Sequence, residues 1–167
     1  PEVPNEIKER LKQYQNTRSA SFQAWLPNDE GILISTRFGN TTQLHVVNKP
    51  GGSRKQITFF DEPVSNGLVC PSIEYTGFLF TKDIGGNEFA QIYWYDLETG
   101  TTEMLTDGKS RDFGINWSNS GEQFVFTSNK RNGKDFDVYV SSMDNPKESE
   151  IIVDKGGGYW FVSDWSP

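Results

Sequence analysis

An all-β chain folded as a partial β-propeller is the architecture this sequence predicts: about three four-stranded blades, the first strand of a fourth, and a short N-terminal helix. Three observations carry it. The apolar triplets Ile32-Leu33-Ile34, Phe78-Leu79-Phe80 and Phe124-Val125-Phe126 recur 46 residues apart, each followed by a hydroxyl residue, Ser35, Thr81 or Thr127. A fixed period in this range marks an array of like supersecondary units. Two further segments repeat with each triplet: Gln43–Val47, Gln91–Tyr95 and Asp137–Val140, then Gln56–Thr58, Met104–Thr106 and Ile151–Val153. Finally, aromatic residues make up 14% of a chain that is only 34% hydrophobic, enough large rings to build a core and too many for a disordered chain.

The elements follow in order. Within residues 1–19, Ile7, Leu11 and Tyr14 fall at i, i+4 and i+7 among charges, which predicts a helix over roughly residues 5–14 with Asn5 as its N-cap. Residues 20–60 form blade one, 67–107 blade two and 112–154 blade three, and residues 159–167 open a fourth blade. Each segment is short, rich in β-branched and aromatic residues, and bounded by turn chemistry such as Asn28-Asp29-Glu30-Gly31, Leu97-Glu98-Thr99-Gly100 and Ser118-Asn119-Ser120-Gly121. The second strand of each unit is apolar at consecutive positions, so both of its faces are expected to be buried between neighbouring sheets, as in a propeller blade. Ahead of each second strand lies an inner segment carrying Trp25, Pro71, Trp117 or Trp165. A chain stopping at Trp165-Ser166-Pro167, within the turn of a repeat, is expected to be a piece of a larger propeller.

Composition narrows the function. Sixteen Lys and Arg against twenty-three Asp and Glu give a net charge of −7, which opposes binding to a phosphate backbone, so no nucleic acid partner is expected. No run approaches the ~20 apolar residues of a membrane helix, and a soluble chain of bacterial cytoplasm or periplasm is expected. The lone cysteine, Cys70, precludes an internal disulfide.

Several residues invite a chemical role, and in each case packing or turn formation is the favoured reading. His45, the only histidine, occupies a strand position filled by Tyr93 and Tyr139 in the other units. Gly108-Lys109-Ser110 resembles the end of a phosphate loop, but Glu103 stands where its first glycine belongs and a strand follows where a helix is required. Asp112-Phe113-Gly114 matches a kinase tripeptide without its catalytic loop. Asp135 and Asp137 lack the ligand count of a calcium loop and read as a solvated edge. Trp25, Trp117 and Trp165 recur with the repeat and read as blade packing, and Gly156-Gly157-Gly158 as a link between blades three and four. No catalytic, cofactor-binding or metal-binding residue is assigned.

The units resemble the Trp-Ser-Pro-Asp-Gly type of propeller repeat through Trp117-Ser118-Asn119-Ser120-Gly121 and Trp165-Ser166-Pro167, with Asn119-Ser120 in place of Pro-Asp and no Trp-Ser in blade two. Such WD-like repeats occur in the Tol-system periplasmic protein and in the N-terminal propellers of serine peptidases of the prolyl oligopeptidase family. Residues 16–63 look like the first blade of bacterial acylaminoacyl-peptidase-like members of that family. The resemblance implies a non-catalytic propeller that gates peptide substrate for a C-terminal α/β-hydrolase domain of the same parent chain. A stand-alone protein-interaction propeller of the Tol-system type is the alternative. The hydrolase chemistry would need a Gly-x-Ser-x-Gly elbow. Pro63-Val64-Ser65-Asn66-Gly67 supplies only its second glycine and Gly108-Lys109-Ser110-Arg111-Asp112 only its first, so no catalytic residue is placed in this chain. Exposed blade edges also suggest self-association of the 167-residue chain.

Overall fold

The computed structural model describes residues 3–15, 18–153 and 156–166, apart from the side chains of residues 12–15 and Asn28. The Tyr14 side chain of the expected helical stripe and Pro167 therefore lie outside the described residues. Helix α1 spans Asn5–Gln15. The Ile7 and Lys8 N–H groups donate to the Pro4 carbonyl at 3.1 and 3.2 Å, which puts the cap at Pro4 rather than at Asn5. Proline suits the start of a helix because it has no N–H to leave unsatisfied.

Three antiparallel four-stranded sheets follow, each with its strands in sequence order. Blade one contains β1 (Ala20–Trp25), β2 (Ile32–Thr36), β3 (Gln43–Val47) and β4 (Lys55–Gln56). Blade two contains β5 (Ser65–Val69), β6 (Gly77–Lys82), β7 (Gln91–Asp96) and β8 (Thr102–Met104). Blade three contains β9 (Asp112–Trp117), β10 (Gln123–Ser128), β11 (Asp137–Ser142) and β12 (Glu150–Val153). The inner strand of blade two thus starts at Ser65, two residues before the expected boundary.

Stacking of the blades uses both faces of the second and third strands of blade two. Phe78, Phe80, Tyr93 and Tyr95 join Leu33, Leu44 and Val46 of blade one in one buried cluster. Leu79 and Ile92, on the opposite face of the same strands, join Phe124, Phe126 and Tyr139 of blade three in a second. Two-sided burial explains why every residue of β6 is buried. Each fully buried phenylalanine contributes about 1.5–3 kcal/mol, so these interfaces outweigh any single turn.

One backbone bond recurs at each blade junction. Val64 N–H donates to Thr42 O, Asp112 N–H to Ala90 O and Trp160 N–H to Phe136 O, each at 2.9 Å. Trp160 therefore takes up the starting position of a fourth unit. The adjacent Tyr159 makes one isolated parallel bridge with Phe136, and the segment from Tyr159 on is not a strand among the described residues, because no ladder neighbour pairs with it.

Candidate functional site

The three inner strands are irregular at the same place. In each, two residues oppose one on the neighbouring second strand: Phe22 and Gln23, Asn66 and Gly67, Gly114 and Ile115. Such bulges sharpen the twist and re-aim side chains. Asn66 and Gly114 take left-handed backbone, with φ of 57° and 64°. All six residues, with Leu68, line one hollow of about 300 Å³ on the inner side of the blades. Gln23 Oε1 accepts from Gly67 N–H at 3.1 Å and so ties the bulge of blade one to that of blade two. A Cβ at Gly67 would lie 2.5 Å from Leu33 Cδ2 across the interface, so any larger residue there has to displace that side chain.

Asn66 also opens onto a trough of about 390 Å³, lined with Glu88, Arg111, Asp112, Phe113, Phe136 and Tyr159 among others. Three of its rings form one cluster, with centroids 5.3 Å apart for Phe113–Phe136, 5.0 Å for Phe136–Tyr159 and 5.8 Å for Phe113–Tyr159. Tyr159, the outermost of them, is 60% exposed. Glu88, like Asn66, has a positive φ, 62°, and two of the three described non-glycine residues in that conformation line this trough. Such backbone costs of order 1 kcal/mol or more and concentrates at functional sites.

The charges around the trough differ in how firmly they are held. The Arg111 N–H donates to Asn129 Oδ1 at 2.8 Å, while its side chain is exposed and carries no described partner. Asp112 is fully buried, with both carboxylate oxygens 3.1 Å from Ser110 Oγ. Burial raises its pKa, against hydrogen bonds from Ser128, Ser110 and Thr106, and Asp107 adds repulsion. A smaller hollow shares Ser65, Thr81, Glu88 and Ala90 and reaches Lys82. The Lys82 ammonium pairs with Glu62 at 3.1 Å and lies over the Phe60 and Tyr93 rings at 4.9 and 5.2 Å. The Glu62 carboxyl is held low by the Gly85 N–H first and Lys82 second.

The residues singled out in the sequence take structural places. His45 is fully buried, its Nδ1 lies 3.1 Å from Gln43 O and its Nε2 has no partner, so it faces no substrate space. Cys70 is buried with Sγ 3.4 Å from Gly121 O, and burial pushes its thiol pKa up, the opposite of an activated nucleophile. Asp107 Oδ1 accepts from Lys109 N, Ser110 N and Ser110 Oγ at 2.7–2.8 Å, so the Gly108-Lys109-Ser110 loop is an aspartate-closed turn leading into β9. The solvated edge expected at Asp135 and Asp137 requires correction at Asp137. That carboxylate is fully buried and takes Arg131 Nε at 2.7 Å and Nη2 at 3.1 Å, because strand position one faces the blade junction and not solvent. Asp135 instead accepts from Gly158 N–H at 3.0 Å and anchors the triple-glycine link.

The tryptophans separate by position. Trp117 donates from Nε1 to Leu68 O at 3.0 Å and packs edge-on to Trp94 and Phe124 at 6.1 and 5.6 Å. Trp25 holds the same register position in blade one, yet is 74% exposed and borders a concavity of about 540 Å³ with Leu26, Ile32 and Val47. That cavity lies on the blade-one face that carries no further blade among the described residues. It is a packing face rather than a chemical site.

No protein-family model matches the chain. Among solved structures, a putative TolB from Agrobacterium tumefaciens is 20% identical, with TM-score 0.60 over 78% of this chain and 44% of its own. TolB from Acinetobacter baumannii is 24% identical, with TM-score 0.60 over 84% of this chain and 34% of its own. A prolyl endopeptidase is 12% identical, with TM-score 0.70 over 92% of this chain and 25% of its own. The fold is that of β-propeller blades. The chain spans from a quarter to under half of the structures it matches.

Proposed function

We propose that these blades are the non-catalytic propeller of a serine peptidase of the prolyl oligopeptidase type, gating peptides toward an α/β-hydrolase domain of the same parent chain. The observation that carries this reading is the match to prolyl endopeptidase, with TM-score 0.70 over 92% of the chain, against 0.60 for either TolB. That enzyme was described in terms of inter-domain dynamics in catalysis and specificity, which suits a propeller working beside a separate catalytic unit. The inner hollow and adjoining trough give the blades a surface on which an extended chain can lie. His45 and Cys70 are both sequestered from them.

A stand-alone binding propeller is the second reading, favoured by the higher identities to the TolB structures, 20% and 24% against 12%. Mass and activity of the native gene product separate the two. The peptidase reading expects a few hundred residues beyond these blades and hydrolysis of peptide anilides. A product made only of further blades, without hydrolysis, supports the binding module and overturns the peptidase.

A further inference from the structure

The trough between blades two and three has the composition of a ligand site, with one wall of rings, one unpaired cation and a strained backbone. Phe113, Phe136 and Tyr159 form a compact cluster in which every pair of ring centroids lies 5.0–5.8 Å apart, and all three rings line the trough, with Tyr159 60% exposed. Arg111 lies in the same lining, and its guanidinium is committed to nothing within the described chain. The carboxylate nearest to it in sequence, Asp112, is buried and bound by Ser110, so it leaves the guanidinium free for an external anion. A volume of about 390 Å³ holds one large side chain with its backbone and excludes a folded domain.

We infer that this trough binds the C-terminal end of a short peptide, with an aromatic last side chain against Phe113, Phe136 and Tyr159 and the free α-carboxylate on Arg111. A guanidinium fork matches a carboxylate bidentately, and a further ring packs against the cluster of three already present. Glu88 stands on the same lining and opposes any anion there, so capture of a carboxylate depends on its contact with Arg111. The choice of a peptide as ligand rests on the peptide-handling function proposed above. The contact chemistry stands on the trough alone.

The test uses the 167-residue chain, titrated by NMR with acetyl-Ala-Ala-Phe as free acid, the same peptide as C-terminal amide, and acetyl-Ala-Ala-Ala as free acid. The free phenylalanyl acid is expected to shift the amides of Arg111, Phe113 and Tyr159 and to bind about tenfold tighter than either control, the scale of one charge-assisted contact. Arg111→Met is expected to erase the preference for acid over amide, with Arg111→Lys retaining part of it. Tyr159→Ala is expected to erase the preference for Phe over Ala. Both side chains are exposed, so thermal melts of the variants should match the parent and exclude misfolding. Equal binding of all three peptides, shifts confined to another surface, or no binding at millimolar peptide would overturn the inference. Because no hydrolase domain takes part, that failure would leave the peptidase reading to be judged by the native gene product.

Discussion

Truncating the two register-equivalent tryptophans should have opposite consequences. Trp25 pairs with Ile32 and Trp117 with Phe124 at the same place in their blades. Only Trp117 has a neighbouring blade to reach: its ring meets Trp94 and Phe124, and its Nε1–H bonds Leu68 O at 3.0 Å. Trp117→Ala removes a half-buried indole and leaves a junction carbonyl without its donor. Burial loss for such a ring runs to about 3 kcal/mol, and the lost hydrogen bond adds about 1. At roughly 2–4 °C per kcal/mol for a chain of this length, the midpoint of thermal unfolding should fall by about 8–16 °C. Trp25, 74% exposed with an edge contact to Phe22 at 5.5 Å, should cost no more than about 0.5 kcal/mol as Trp25→Ala. Urea unfolding followed by circular dichroism measures both. Equal losses, or a greater loss at Trp25, would refute the blade-to-blade register from which the argument is built.

Three further outcomes follow from the same packing. Burial depresses the His45 pKa below 6.5, with the Gln43 carbonyl opposing and Arg54 adding to the effect, so the unfolded chain holds the extra proton. Stability is then full above about pH 6.5 and declines as pH falls below it, and His45→Phe should flatten that slope below about pH 6.5 in chemical denaturation series. Gln91 is fully buried; its Nε2 donates to Ser110 O and its Oε1 accepts from Thr106 Oγ1 at 2.7 Å and Gly108 N–H at 2.8 Å, so Gln91→Ala should cost about 2–4 kcal/mol in urea unfolding by stranding these groups. The 167-residue chain alone should not hydrolyse acyl-amino-acid anilides or esters, and turnover abolished by His45→Ala would contradict that.

The blades were legible because their second strands are buried on both faces and so carry unbroken apolar runs, repeated at 46 residues. The inner strands were less so. Asn66 and Gly67 look like turn residues, yet they form the bulge of β5, one taking left-handed backbone and the other allowing Leu33 within 2.5 Å of where a Cβ would stand. β5 accordingly starts at Ser65, two residues before the boundary that the turn-like residues predict. At Asp137 the sequence showed alternating carboxylates but not Arg131 six residues earlier folding over one of them. The hollow and trough were beyond reach for a different reason. Phe22, Asn66 and Gly114 come together only once the blades are placed side by side, and no local pattern encodes that placement.

A division of labour between these blades and a separate catalytic unit is tested most directly by labelling the native gene product with a serine-reactive fluorophosphonate and mapping the modified residue. The account predicts one labelled serine, lying outside the 167 residues, with peptide hydrolysis lost in step with labelling. A label on any serine within these blades, or a product that hydrolyses peptides without being labelled, would contradict it.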